Sequence, residues 1–227
     1  MPATPVSWIP EFTANFTTNG IQSEPDILQL ADGNIVVAWT TEDDSGAGSP
    51  AGTDLVGRMF DPVGNVVIIG GAETNEFILN FASQGSNEKT ISGAALSSGG
   101  FIVVYETVSL TSGTTQLRLE ELGAIATPGD DSNNVIIDGN ANAPNFANPE
   151  IAASSPTSVL IAYEKLGVDD PGDIDIAGKI YSTTTNTYSG EITFFDFGVD
   201  KVTDAALDVL ESVWKIGKRG LSRRFGV

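Results

Sequence analysis

The sequence predicts an all-β fold: three four-stranded antiparallel units stacked like the blades of a β-propeller, with a single helix at the C-terminal end. Three observations carry this. A strand–turn–strand pattern ending in an aromatic residue recurs three times, a third and a fourth strand follow it each time, and the texture changes to a helical one only after residue 198.

The hairpins come first. Ile35–Trp39, Ile102–Glu106 and Leu160–Glu164 are β-rich runs carrying Trp39, Tyr105 and Tyr163, which stand at near-regular intervals along the chain. Ile27, Ile91 and Ile151 precede those aromatics at nearly equal distances and mark the preceding strand. Each gap holds a turn: Ala31-Asp32-Gly33-Asn34, Ser97-Ser98-Gly99-Gly100 and Ser154-Ser155-Pro156-Thr157. For the third strand, Asp54–Phe60 matches Asp175–Tyr181 in its acid, glycine and base, while the middle copy, Thr114–Glu120, is degenerate. The fourth strands are Phe77–Asn80, Val135–Asp138 and Thr193–Asp196, and Phe12–Asn15 matches them as a spare N-terminal strand over 12–15. The expected organisation is a repeat domain over 1–198, with units at about 20–80, 81–138 and 139–197, followed by residues 199–227. Four antiparallel strands recurring as a unit at this near-constant interval are a propeller signature. A β-sandwich is the competing fold, because turn spacing alone does not separate the two.

In residues 199–227, Val202, Ala205, Ala206, Val209, Leu210, Val213 and Trp214 fall at helical spacing, so a helix is predicted over about 202–216. It runs into a basic tail. Trp214, Lys215, Lys218, Arg219, Arg223 and Arg224 form a candidate partner-binding segment, as a docking peptide or a C-terminal export signal. A helix packed on its own domain, or an out-of-frame remnant, accounts for the same residues.

Composition narrows the chemistry. Cysteine and histidine are both absent, which removes disulfides, thiolate nucleophiles, Ser–His pairs and Cys- or His-ligated metals. The net charge is −19; setting aside the five bases of residues 215–227 leaves 6 basic against 30 acidic residues, or −24, on the body. A body of that charge repels phosphate, so nucleic acid is excluded as its partner, and an anionic membrane is disfavoured. The N-terminus, Met1-Pro2-Ala3-Thr4-Pro5-Val6-Ser7-Trp8, lacks the pattern of a cleaved signal peptide, and no window approaches the apolar length of a membrane span.

The blade pattern, Pro25-x-Ile27-x-x-Leu30-x-Asp32-Gly33-Asn34-Ile35-Val36-Val37-Ala38-Trp39, then Gly57–Gly64 and Phe77–Asn80, resembles repeats of large secreted bacterial proteins. These are RTX-type, haemolysin-type calcium-associated adhesins and surface proteins. The resemblance spans about residues 12–197, is best in the first unit and poorest in the second, and implies fold more than function. It implies an extracellular or cell-surface location, and calcium as the cofactor to look for.

Calcium takes six to eight oxygen ligands, and the loop Asp169-Asp170-Pro171-Gly172-Asp173-Ile174-Asp175 gathers four acids in one short stretch. Asp169, Asp170, Asp173 and Asp175 are therefore the candidate metal ligands, with turn formation on an acidic surface as the competing reading. The EF-hand spacing and the calcium-binding nonapeptide are both missing. Trp39, Tyr105 and Tyr163 read as packing between blades, with sugar stacking as the alternative. Arg58 and Lys179 read as partners of neighbouring carboxylates. No catalytic residue is assigned. Paired carboxylates could hydrolyse glycosides, but the two blade arginines, Arg58 and Arg118, are too few for a sialidase-type site.

The functional expectation is thus a non-catalytic module for binding, adhesion or structural display, taking a protein or glycan partner. A phage virion component tethered by the basic tail is the alternative, and a carbohydrate-active propeller enzyme is the second. Three units are fewer than the four to eight that close a propeller. Self-association is therefore expected, as two chains forming a six-unit ring or as exchange of the spare strand.

Overall fold

The structure is a computed structural model and describes residues 11–42, 52–69, 76–80, 86–97, 99–123, 135–137, 146–166 and 174–195. The predicted helix at 202–216 and the basic tail lie outside these residues, so the expected C-terminal helix finds no support.

The described residues are all-β and fall into three antiparallel sheets in chain order. The first comprises β1 (Gln22–Gln29), β2 (Ile35–Thr41), β3 (Asp54–Phe60) and β4 (Glu76–Ile78), hydrogen-bonded in that order. The second comprises β5 (Ser86–Ala95), β6 (Phe101–Ser109), β7 (Thr115–Leu122) and β8 (Val135–Ile137). The third runs β9 (Phe146–Ser155), β10 (Ser158–Leu166) and β11 (Ile174–Ser182), with both β12 (Thr187–Tyr188) and β13 (Ile192–Phe195) pairing β11. Each predicted hairpin, third strand and fourth strand is present. The short β12 was not anticipated; it folds back through a turn in which Asn186 adopts φ 51°.

Both faces of the middle sheet are buried, which is what the unbroken apolar run of β6 requires. Side chains alternate across a strand. Phe101, Val103 and Tyr105 enter a core with Leu28, Val36, Ala38, Leu55 and Met59 of the first sheet. Ile102 and Val104 enter a second core with Ile151, Val159, Ile161, Tyr163 and Ala177 of the third. The three sheets therefore stack face to face in sequence as an open, propeller-like arc, with β1, β5 and β9 in contact along one side.

Glycine in the third strand makes room for an aromatic from the fourth. A Cβ on Gly57 would lie 2.9 Å from Phe77 Cε2, and one on Gly178 would lie 2.6 Å from Phe194 Cε2. The glycine shared by these strands in the sequence thus has a packing reason.

Two sequence expectations are corrected. Ile91 is not the equivalent of Ile27 and Ile151. The pairings Ile27↔Val37, Gly93↔Val103 and Ile151↔Ile161 put Gly93 at that position. The reason is close approach: a Cβ on Gly93 would sit 2.9 Å from Leu28 Cδ2 of the first sheet. Residues 12–15 are not a strand either. They lie over the first sheet, where Arg58 Nη1 donates to the Ala14 carbonyl (2.9 Å) and the Phe12 and Phe60 rings are 5.1 Å apart. Glu76 accepts from the backbone N–H groups of Phe16 and Thr17, and from the Thr17 hydroxyl at 2.6 Å. Side-chain bonds to this segment replace the ladder expected of a strand.

Candidate binding surface

Each first strand carries a β-bulge, and each bulge holds a non-glycine residue at positive φ: Glu24 (50°) in β1, Thr90 (52°) in β5 and Asn148 (49°) in β9. All three stand at one fixed distance before the aromatic of the next strand, Trp39, Tyr105 and Tyr163 in turn. Pro25 and Pro149 follow the bulge residue in the outer units, where the disrupted ladder tolerates a missing N–H. Positive φ costs a non-glycine residue about 1–2 kcal/mol. The bulges persist because neighbouring sheets hold them.

The bonds that hold them are carboxylate to backbone. Glu24 of the first sheet accepts from Thr90 N (2.6 Å), and Asp26 accepts from Gly93 N (2.8 Å). Glu106 of the second sheet accepts from Asn148 N (2.9 Å) with one oxygen and pairs with Lys89 Nζ (3.0 Å) through the other. Ser92 completes this second contact, donating to Glu150 Oε2 at 2.9 Å and accepting from Ile151 N at 3.4 Å. In both junctions oxygens of the earlier sheet accept backbone N–H groups of the later sheet, and in the second Ser92 also donates back to Glu150. Burial raises the Asp26 carboxyl above its ordinary value, and the N–H groups of Ile27 and Gly93 offset part of that rise.

In the second sheet the acceptors of the next bulge are Ser92 and Glu106. Their counterparts in the third sheet, at a constant offset along the chain, are Glu150 and Glu164, which together with Asn148, Ala162, Tyr163 and Ile176 line a surface concavity. Beside it, Tyr163 donates to Glu191 Oε2 (2.9 Å), and Lys165 pairs with Glu191 Oε1 (2.6 Å). Burial alone would raise the Glu191 carboxyl, but the hydrogen bonds from Lys165 and Tyr163 outweigh it and hold the group below its ordinary value. Burial also pushes the Tyr163 phenol well up.

Of the predicted metal ligands, Asp169, Asp170 and Asp173 lie outside the described residues, whereas Asp175 sits in β11. Its Oδ1 is buried and accepts no hydrogen bond among the described residues. No group of three or more acids placed to hold a metal occurs among the described residues. Trp214, Lys215, Lys218, Arg219, Arg223 and Arg224 also lie outside them. Tyr105 and Tyr163 are core residues between sheets. Lys179 stands near the Glu191 carboxylate, whose pKa its charge helps to lower, and Arg58 lies opposite Glu76 in the strand pairing. Each reaches a backbone carbonyl across a packing boundary, Arg58 that of Ala14 and Lys179 that of Ile136 in β8 (3.1 Å). Sequence reasoning missed the bulge acceptors. Their signal was Glu24-Pro25-Asp26 and Asn148-Pro149-Glu150 at a fixed distance from the aromatics.

No protein-family model matches the chain, and no curated protein matches it. Among solved structures it is similar to an alpha-L-arabinanase of Penicillium chrysogenum, determined in complex with arabinobiose. The TM-score is 0.53 at 9% identity; the match covers 84% of this chain and 56% of the arabinanase, so the chain spans little more than half of that structure's length. At that identity the likeness shows the fold, a propeller-like stack of antiparallel sheets.

Proposed function

We propose that the chain is a non-catalytic binding and display module, in which the sheets form a scaffold that presents its connecting loops to a protein or glycan partner. The observation that supports this best is the use made of the inner-strand acids. Glu24, Asp26 and Glu106 accept backbone N–H groups of the adjacent sheet, and Glu150 accepts the Ser92 hydroxyl. Carboxylates engaged in this way serve register and are poorly placed as a general acid and a nucleophile. The burial of Tyr105 and Tyr163 between sheets argues the same way, since neither presents a ring face for stacking on sugar. Adhesion at a bacterial surface, with calcium held near Asp175, is the setting this reading favours.

A carbohydrate-active enzyme is the second reading, raised by the similarity to an arabinanase. Both are tested by incubating the full chain with a panel of immobilised and soluble glycans that includes arabinan. Retention without release of reducing ends is expected. Release of reducing ends that is lost in Glu150→Gln or Glu164→Gln would overturn the non-catalytic reading.

A further inference from the structure

We infer that the third sheet docks head-to-tail on the first sheet of a second copy of this chain, its concavity receiving the bulge at Glu24–Ile27. The argument is continuity with the two junctions inside the chain. In each, two oxygen acceptors of the earlier sheet take backbone N–H groups at the positive-φ bulge of the following sheet: Glu24 and Asp26 hold Thr90 and Gly93, and Glu106 and Ser92 hold Asn148 and Ile151. The third sheet carries a concavity with Glu150 and Glu164 at the positions of Ser92 and Glu106. The first sheet repeats the bulge, with the N–H group of Glu24 as the counterpart of the bulge donors at Thr90 and Asn148.

The two end faces are apolar where this docking needs them to be. Ile174, Ile176 and Ile180 share a face of β11 with Gly178, and Ile192 pairs with Gly178 on the same side. This corresponds to the face of the first sheet, carrying Leu55, Gly57 and Met59, that is buried against the second. On the third sheet Ile176 is buried, while Ile174, Ile180 and Ile192 are 37%, 39% and 37% exposed. At the other end Ile27 is 67% exposed, and Phe12 and Phe16 of the overlying segment are 49% and 56% exposed. Exposed apolar surface thus gathers at both ends of the stack, and one end carries hollow-lining acids while the other carries the bulge. A hollow on one copy and a bulge on the other generate two identical junctions about a twofold axis, giving six sheets, within the four to eight that close a ring.

The test is sedimentation equilibrium of the full chain with two charge insertions at exposed positions, Ile27→Lys and Ile180→Lys, and with Ile192→Lys as a second variant of the third-sheet face. The wild type is expected to reach twice the 23.7 kDa chain mass as concentration rises. Each variant should weaken this by about tenfold or more, because a charge then enters a desolvated junction. Near-ultraviolet circular dichroism reports whether each variant is folded. Mixing Ile27→Lys with Ile180→Lys should restore a heterodimer, since one native hollow then meets one native bulge. Three results would overturn the inference: a wild type that stays monomeric, as when residues 196–227 cover the third sheet within one chain; a dimer lost in Ile180→Lys but kept in Ile27→Lys, which marks a symmetric face-to-face contact; and a mixture that regains nothing.

Discussion

Removing the Glu106 side chain tests how the sheets are held in phase. The carboxylate is 2% exposed, accepts Asn148 N across the junction and pairs with Lys89. Glu106→Ala deletes a hydrogen bond to a charged acceptor, about 1.5–3 kcal/mol, and one buried methylene at about 0.8 kcal/mol. It also deletes an ion pair whose lysine is half exposed, adding no more than about 1 kcal/mol. Partial collapse and water entry return some of this, so a net loss of about 2–4 kcal/mol is expected. At about 2–4 °C per kcal/mol for a domain of this size, the melting temperature should fall by about 4–16 °C. Glu106→Gln keeps the methylenes and an amide oxygen able to accept Asn148 N, and should cost only about 1 kcal/mol. Urea unfolding gives both values, and hydrogen exchange at the Asn148 amide locates the loss. If Gln is as damaging as Ala, the ion pair with Lys89 is the dominant interaction; if Ala is neutral, the bridge to Asn148 holds nothing. Either result refutes the reasoning.

Four further outcomes are expected. Asp26 has a folded-state pKa above its ordinary 3.8, so its contribution to stability is full below that value and is lost as pH rises through the folded value; Asp26→Asn should therefore gain melting temperature relative to wild type between pH 4 and pH 7, and a relative loss would contradict the assignment. Gly178→Ala places a Cβ 2.5 Å from the Ile161 carbonyl oxygen and should cost about 1–3 kcal/mol, while Gly190→Ala, with nothing within 4 Å, should stay within about 0.5 kcal/mol in the same urea series. Calcium should raise the melting temperature and excess chelator lower it if Asp169, Asp170, Asp173 and Asp175 hold the ion; coincident melts would leave them as turn residues. Burial first, then the neighbouring Glu121 charge, pushes the Tyr181 phenol up to about 12, and burial raises Tyr163 and Tyr188 further; ultraviolet titration of the folded chain should show little phenolate near the ordinary tyrosine value of 10.0, and ordinary ionisation there would mean that these rings are solvated.

Much of this architecture was legible because strand pairing follows periodicity. The runs around Trp39, Tyr105 and Tyr163 announce centre strands, and the acid–x–x–glycine–base pattern of Asp54–Phe60 and Asp175–Tyr181 announces the third strand even across loops of unequal length. What failed to show was anything depending on where one sheet meets another. Matching isoleucine with isoleucine put Ile91 where Gly93 belongs, because the junction with Leu28 demanded a glycine. Phe12–Asn15 has the composition of a fourth strand, but Arg58 and Glu76 bind the backbone here and just beyond through side chains, a choice that composition does not encode. The acidic loops drew attention as metal sites because acids cluster there in sequence. The acids with well-defined partners, Glu24, Asp26 and Glu106, are scattered singly and come together only through stacking.

That scattering has a physical logic. Apolar cores between sheets are non-directional, and alternation with period two lets one sheet slide past another by two residues, about 6.8 Å, while still burying the same kind of side chain. A carboxylate facing a backbone N–H does not tolerate such a slide. Glu24 meets Thr90 N, Asp26 meets Gly93 N and Glu106 meets Asn148 N at 2.6–2.9 Å in one register only. A slide would strand each carboxylate without its donor, a penalty of about 1–3 kcal/mol or more per group. The apolar residues therefore supply most of the adhesion, and the bulge acids select one phase from several that would be nearly equal in burial. The same division carries over to the third sheet, where Ile180 and Ile192 offer exposed apolar surface and Glu150 and Glu164 stand at the positions that choose a register in the second sheet.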